Sequence, residues 1–311
     1  MKFNSKELNS ISSAIQQTLN YSQNNLDISI KTACIGAAGA VSQEKNYVEL
    51  TNASWNVSID EIIKKTSLKN VSILNDFQLI GYALNIINER DVFTIRSNNN
   101  YEKKLTKAVI GAGTGLGKST VVFNKYLNAY VPIPSEGGHA DLPVQTEEDV
   151  QLINFIKKIR QIHQPITYEE VLSGRGLENI YLCLKEKIND SHDKYLSEID
   201  ESTEKAALIS KYRNVNETCK ETFKIFTKYY ARCAKNFVLD TMATGGLYIA
   251  GGIASKNKDV FASSNFIKEF ENAYRRSDIL KKIPIYVIIN YDISLHGACF
   301  AAMHLLPHKK A

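Results

Sequence analysis

The segment Gly111-Ala112-Gly113-Thr114-Gly115-Leu116-Gly117-Lys118-Ser119, running on into Thr120-Val121-Val122-Phe123, admits two architectures. Its middle satisfies a relaxed phosphate-loop pattern, in which backbone N–H groups cradle phosphates, a lysine reaches the β and γ oxygens and a serine holds Mg2+. Such a loop has to open a helix whose positive end faces the anion. Here Ala112 stands where that pattern has its first glycine, and the residues after Ser119 are β-branched and aromatic, hence strand formers. The spacing of a dinucleotide-binding loop also fails, because positions 116 and 118 are not glycine. The segment therefore predicts strand, glycine turn and returning strand. Four alternating glycines exceed what a tight turn requires, and backbone lying close to an anion accounts for the surplus.

Working outward, Lys107-Ala108-Val109-Ile110 is the strand that enters the turn, and Thr120 to Phe123 with Ala129-Tyr130-Val131-Pro132 forms a hairpin around Asn124-Lys125. Upstream, Asn4-Ser5-Lys6-Glu7 has capping-box form, and Leu8, Ile11, Ile15 and Leu19 follow at helical spacing. A helix over the first twenty residues is expected, then a strand over Ile28 to Gly36, a helix over Ile59 to Thr66 and a strand over Val71 to Leu74. This alternation predicts an α/β lobe. Downstream, Glu217 to Met242 carries Phe223, Phe226, Tyr230, Cys233 and Phe237 on one face before Gly245-Gly246 stops it, which makes it the central helix of a second lobe. Lys185 to Arg213 is charged and poor in large apolar residues, as in an exposed helical excursion.

The composition of the 311 residues, 44% hydrophobic and 23% charged, is that of an ordinary globular protein. No apolar run approaches a membrane span and no leader is visible, so a cytoplasmic protein with no membrane partner is expected. The five cysteines are scattered singly, which suggests neither a disulfide framework nor a cysteine zinc site. The net charge of +5 comes from lysines spread along the chain, without arginine clusters, and predicts no nucleic-acid partner. Of the 16 glycines, only Gly81 and Gly297 lie outside five tight groups, at 36/39, 111–117, 137/138, 174/176 and 245–252. Such clustering points to loops converging on a site.

In order along the chain, Thr51-Asn52-Ala53-Ser54-Trp55, Leu74-Asn75-Asp76-Phe77, the turn 111–117, Glu136-Gly137-Gly138-His139-Ala140-Asp141, Glu169-Glu170-Val171-Leu172-Ser173-Gly174-Arg175-Gly176-Leu177 and Ala250-Gly251-Gly252-Ile253 resemble the bacterial-type glucokinase family, hexose kinases of the actin-like ATPase superfamily. The resemblance implies an α/β, ribonuclease H-like two-lobe kinase fold with a cleft between lobes. It assigns residues 1–105 with 291–311 to a small lobe and 106–290 to a large one. It further implies ATP-dependent phosphorylation of glucose to glucose 6-phosphate, with ATP and Mg2+ as cofactors and no protein-held metal. Asp76 falls where the family has its catalytic base, and Asn75, Asp76, Glu136, His139 and Glu169 where it reads sugar hydroxyls, with Asn52 in a further matched segment. Gly113, Thr114, Gly115 and Gly117 match the second phosphate loop, and Gly251 and Gly252 the adenosine side. Hydroxyls both donate and accept, so carboxylate, amide and imidazole groups complement them. Related families place a cysteine zinc cluster just after such a histidine; no cysteine lies between Cys34 and Cys183 here, so zinc is not expected.

Two departures carry expectations. Arg175 replaces the family's usual proline, and a guanidinium there could contact phosphate. The family also begins with a hairpin of the form D-x-G-G-T-x-x-R, and no glycine precedes Gly36, so the chain reads as starting one hairpin late. An unpaired edge on the strand near Ile30 to Ile35 is then expected. The alternative function is a catalytically weakened sugar-binding or regulatory paralogue; a sugar-responsive repressor would need a helix-turn-helix segment before Ile28. A homodimer is left open.

Overall fold

The computed structural model describes residues 1, 3–4, 8, 10–37, 47–48, 56–97, 104–187 and 194–304. The elements run α1 (Ile11–Leu26), β1 (Thr32–Ala37), β2 (Tyr47–Val48), β3 (Val57–Ser58), α2 (Ile59–Lys65), β4 (Asn70–Asn75), α3 (Asp76–Ala83), β5 (Val92–Arg96), β6 (Lys107–Ala112), β7 (Leu116–Asn124), β8 (Ala129–Ser135) and α4 (Glu147–Arg160). There follow α5 (Gly174–Lys185), α6 (Lys194–Glu201), α7 (Lys205–Tyr212), α8 (Glu217–Thr241), β9 (Leu247–Ala250), α9 (Gly252–Lys256), α10 (Lys258–Phe261), α11 (Ser264–Glu271), α12 (Ser277–Leu280), β10 (Ile285–Ile288) and α13 (Ile293–His304).

These elements form two compact units, one of residues 1–88, 124–134 and 291–311, the other of residues 89–123 and 135–290. Both ranges differ from those expected. Residues 89–105 join the second unit because β5 pairs antiparallel with β10, and 124–134 join the first, where Asn85 bonds the backbone of Tyr130 in both directions, at 2.7 and 2.9 Å.

In the first unit β1 and β4 pair in parallel from Thr32↔Asn70 to Ala37↔Asn75. Among the described residues β4 is the only strand paired with β1. Leu19, Val57, Ile62, Leu68 and Ile73 pack into its core. Helix α1 starts later than its apolar spacing suggests. Ser10, not Asn4, is the N-cap, its hydroxyl accepting from the Ser13 N–H, and Leu8 lies outside the helix. Helix α13 crosses α3 at Gly297, where a Cβ would run into the Leu79 carbonyl oxygen, so only glycine permits this approach.

In the second unit the strand order is β5-β10-β9-β6-β7. β6 pairs antiparallel with β7 and parallel with β9, and is buried along its whole length. That continuous burial is what a central strand covered on both faces shows. Helix α8 buries Phe223, Phe226, Tyr230, Cys233 and Phe237, the face read from the sequence. Its Arg232 reaches the buried Asp149 at the start of α4 and Glu269 of α11, at 2.9 and 2.7 Å.

Candidate active site

β6 ends at Ala112 and β7 begins at Leu116, so residues 113–115 form a turn between strands and no helix opens there. The Gly113 N–H closes it on the Gly115 carbonyl at 2.8 Å. Thr114 is exposed at its tip. The residues of the phosphate-loop pattern do not act as one: Lys118 and Ser119 are buried in β7.

Three other segments meet this turn. The Leu116 N–H donates to Glu169 Oε2 at 2.9 Å, and a Cβ on Gly115 would stand 2.5 Å from the same oxygen. The Gly174 N–H donates to the Gly113 carbonyl at 2.8 Å. Gly138 lies against the Leu116 carbonyl too closely for any side chain. Gly251, at φ 92°, lies equally close to the Ala112 carbonyl, so both its conformation and its packing require glycine. By contrast, a Cβ on Gly113 or Gly252 would meet nothing within 4 Å. Glycine groups far apart in sequence thus converge on one turn.

Glu136 and His139 flank the 3-10 turn Gly137–His139, the His139 N–H donating to the Glu136 carbonyl at 2.9 Å. Their side chains are 68% and 61% exposed, with Nε2 and Oε2 4.0 Å apart, so both remain open to a ligand. Glu169 sits in a second 3-10 turn, Tyr168–Glu170. The two turns are joined by the Tyr168 N–H to the Ala140 carbonyl at 3.0 Å, the Leu142 N–H to the Ile166 carbonyl at 2.8 Å, and the bridge Asp141↔Thr167. Burial pushes the Tyr168 phenol up to about 12. Its oxygen accepts from Asn236 Nδ2 at 2.9 Å, which holds the ring in place. Arg175 pairs with Glu170 at 2.6 Å and lies 3.8 Å from Glu169, so in this structure it faces carboxylates.

Asn75 and Asp76 belong to the first unit, at the junction of β4 and α3. Asn75 is the N-cap: its side chain accepts from the Phe77 N–H at 2.8 Å, and its own N–H donates to Gln78 Oε1 at 3.2 Å. Asp76 is the first helical residue, and its Oδ1 also accepts from the Phe77 N–H, at 2.9 Å. The carboxylate therefore stands at the positive end of the helix. Asn52 and the rest of its segment lie outside the described residues.

Two features of the site were not read from the sequence: the inward course of Lys118 and the bond from Leu116 to Glu169. Strand alternation alone carries Lys118 to the face of the buried Leu116, whereas no sequence signal marks a bond spanning 53 residues.

The family model described as Glucokinase matches residues 1–305. Glucokinase of Trichormus variabilis is 31% identical over 286 residues, covering 88% of this chain and 82% of its own length. Glucokinase of Yersinia enterocolitica is also 31% identical, over 271 residues, with 87% and 79% covered. Among solved structures, a glucokinase from an Antarctic psychrotroph superposes with a TM-score of 0.79 at 26% identity, covering 97% of this chain and 88% of that one. At fold level the similarity extends to a ROK family glucokinase from Streptomyces griseus in complex with glucose and AMPPNP, with a TM-score of 0.63, 16% identity and 94% and 87% covered. With the family matched over nearly its full length and the architecture shared with these sugar kinases, the chain belongs to the glucokinase family, on the actin-like two-lobe kinase fold.

Proposed function

We infer that this chain transfers the γ-phosphoryl group of ATP to glucose, yielding glucose 6-phosphate and ADP. The observation that supports this most is the convergence on the glycine turn: backbone suited to phosphate is bonded to the segment that presents Glu169 and packed against the one that presents Glu136 and His139. Phosphoryl transfer asks a protein chiefly for positioning and electrostatic stabilisation, and such a surface supplies both. In this reading the turn built from Gly113, Thr114, Gly115 and Gly117, with the exposed Thr114 at its tip, faces the nucleotide phosphates. The adenosine side lies along Gly251 and Gly252, where the open space at Gly252 leaves room and Gly251 holds the turn against β6. Asn75, Glu136, His139 and Glu169 pair with sugar hydroxyls, and Asn52 joins them from its matched segment.

Asp76 is the base. The primary hydroxyl oxygen of the sugar forms a bond to the γ phosphorus, the bond from that phosphorus to the bridging oxygen breaks with its electron pair leaving on ADP, and the hydroxyl proton passes to the Asp76 carboxylate. Mg2+ would enter on the ATP phosphates and offset their charge. It needs few protein ligands. No helix of the described residues is long and apolar enough to cross a membrane, and a cytoplasmic place of action belongs to this reading.

The test is a coupled kinase assay on the chain and on Asp76→Asn. Loss of the base should lower kcat by about 10²–10⁴-fold, while glucose binding by calorimetry persists. Equal rates for both proteins would remove Asp76 from the mechanism.

A further inference from the structure

Lys118 is the residue that the phosphate-loop pattern would send to a nucleotide, yet it is 6% exposed. Its Nζ lies 4.7 Å from the centroid of the Tyr168 ring and 5.4 Å from that of Phe237. The Cys233 thiol is near enough to feel the charge: burial pushes it up to about 11 against the opposing pull of that ammonium. A Cβ on Gly137 would stand 3.0 Å from the lysine stem and 3.5 Å from Nζ. Its partners are thus two aromatic faces, a thiol and the Gly137 turn.

We propose that Lys118 is a positioning residue for the sugar-reading turns, setting the placement of Glu136 and His139 through Gly137 and of Glu169 through Tyr168. The inference rests on the reading of those three side chains as sugar ligands. A buried ammonium has to be compensated, and ring faces compensate it best where water is excluded. The compensation is directional: it holds when the Tyr168 ring stays under the charge. Tyr168 precedes Glu169 and bonds Ala140, so one charge restrains both turns from below. An apolar side chain of equal length would fill the same space without orienting the ring.

Lys118→Met tests this, because it keeps the packing and removes the charge. Glucose KM and the calorimetric Kd should rise roughly tenfold, with kcat and the KM for ATP within about twofold of the parent. Lys118→Arg, which keeps the charge and can stack on rings, should recover part of the glucose affinity. A folded Lys118→Met with parental glucose affinity would overturn the proposal, as would an equal rise in both KM values alongside a lowered Tm. Should Lys118→Met not fold, Phe237→Leu removes one ring face only and should weaken glucose in the same direction, by about two- to threefold; an unchanged Kd there overturns the proposal as well. Glu136→Gln is measured in parallel. If it leaves glucose affinity intact, the sugar-site reading fails; if it weakens glucose while Lys118→Met does not, the role of Lys118 alone fails.

Discussion

The β4–α3 junction in the first unit and the glycine turn in the second are held in opposite ways. At the junction the bonds of Asn75, Asp76 and Gln78 span one to three residues. At the turn, Leu116 reaches Glu169 across 53 residues, Gly174 follows from the same segment, and Gly138 and Gly251 arrive from two others. A local hold forms with its own helix and is lost in small increments. A convergent hold exists only when the whole second unit has folded, so damage to it should reach stability and sugar affinity together.

The long-range kind of hold is broken most severely at Asp149, whose carboxylate meets Arg232 across 83 residues. Asp149→Asn should destabilise the second unit by about 3 kcal/mol at neutral pH, since it leaves a buried arginine half paired. Burial by itself raises the Asp149 carboxyl, but the Tyr229 hydroxyl, the Gln145 and Thr146 N–H groups and Arg232 outweigh it and hold the group below its ordinary range. Its folded value then lies under the unfolded one. The stability it contributes is full above about pH 4 and is lost as pH falls toward the folded value. Urea unfolding at pH 7 and at lower pH should show the parent weakening more steeply on acidification than Asp149→Asn.

A smaller effect, and a sharper contrast between the units, is expected from two glycines. Gly138→Ala and Gly297→Ala each drive a methyl into a backbone carbonyl, that of Leu116 or of Leu79. Each should cost about 1–3 kcal/mol by denaturant unfolding. Gly138→Ala should also raise the glucose KM, while Gly297→Ala should act through α3 and lower kcat. Should Gly138→Ala keep parental stability and KM, the turn and the sugar-reading segment are not held together as described.

The smallest effect belongs to the local hold. Gln78→Ala removes one half of the reciprocal cap and leaves the Asn75 bond to Phe77 intact. A loss of about 0.5–1 kcal/mol is expected, with glucose affinity unchanged.

The α8 face, the β4 strand and the β6–turn–β7 passage were legible because each rests on a periodicity or a propensity within a short window. The start of α1 was not: Leu8 continues the apolar spacing, but Ser10 offers the nearer cap and ends the helix there. The assignment of 89–105 was also hidden, because nothing in Val92–Arg96 names β10 as its partner. Within the site, the resemblance to the family, and not residue type alone, carried the expectation of hydroxyl recognition at Glu136, His139 and Glu169, whereas the bond from Leu116 to Glu169 and the pairing of Arg175 with Glu170 depend on segments meeting in space.

By itself the sequence determined that the chain is α/β, that its richest glycine loop turns between strands, and which ordered segments tie it to sugar kinases. Helix caps, strand formers and glycine clusters act over a few residues, so their outcome is written locally. Only the tertiary structure decided that Lys118 turns inward beneath Tyr168 and that three distant segments close on residues 112–116. Those outcomes depend on close packing around β6 and α8, where space, burial and backbone hydrogen bonding must be satisfied all at once.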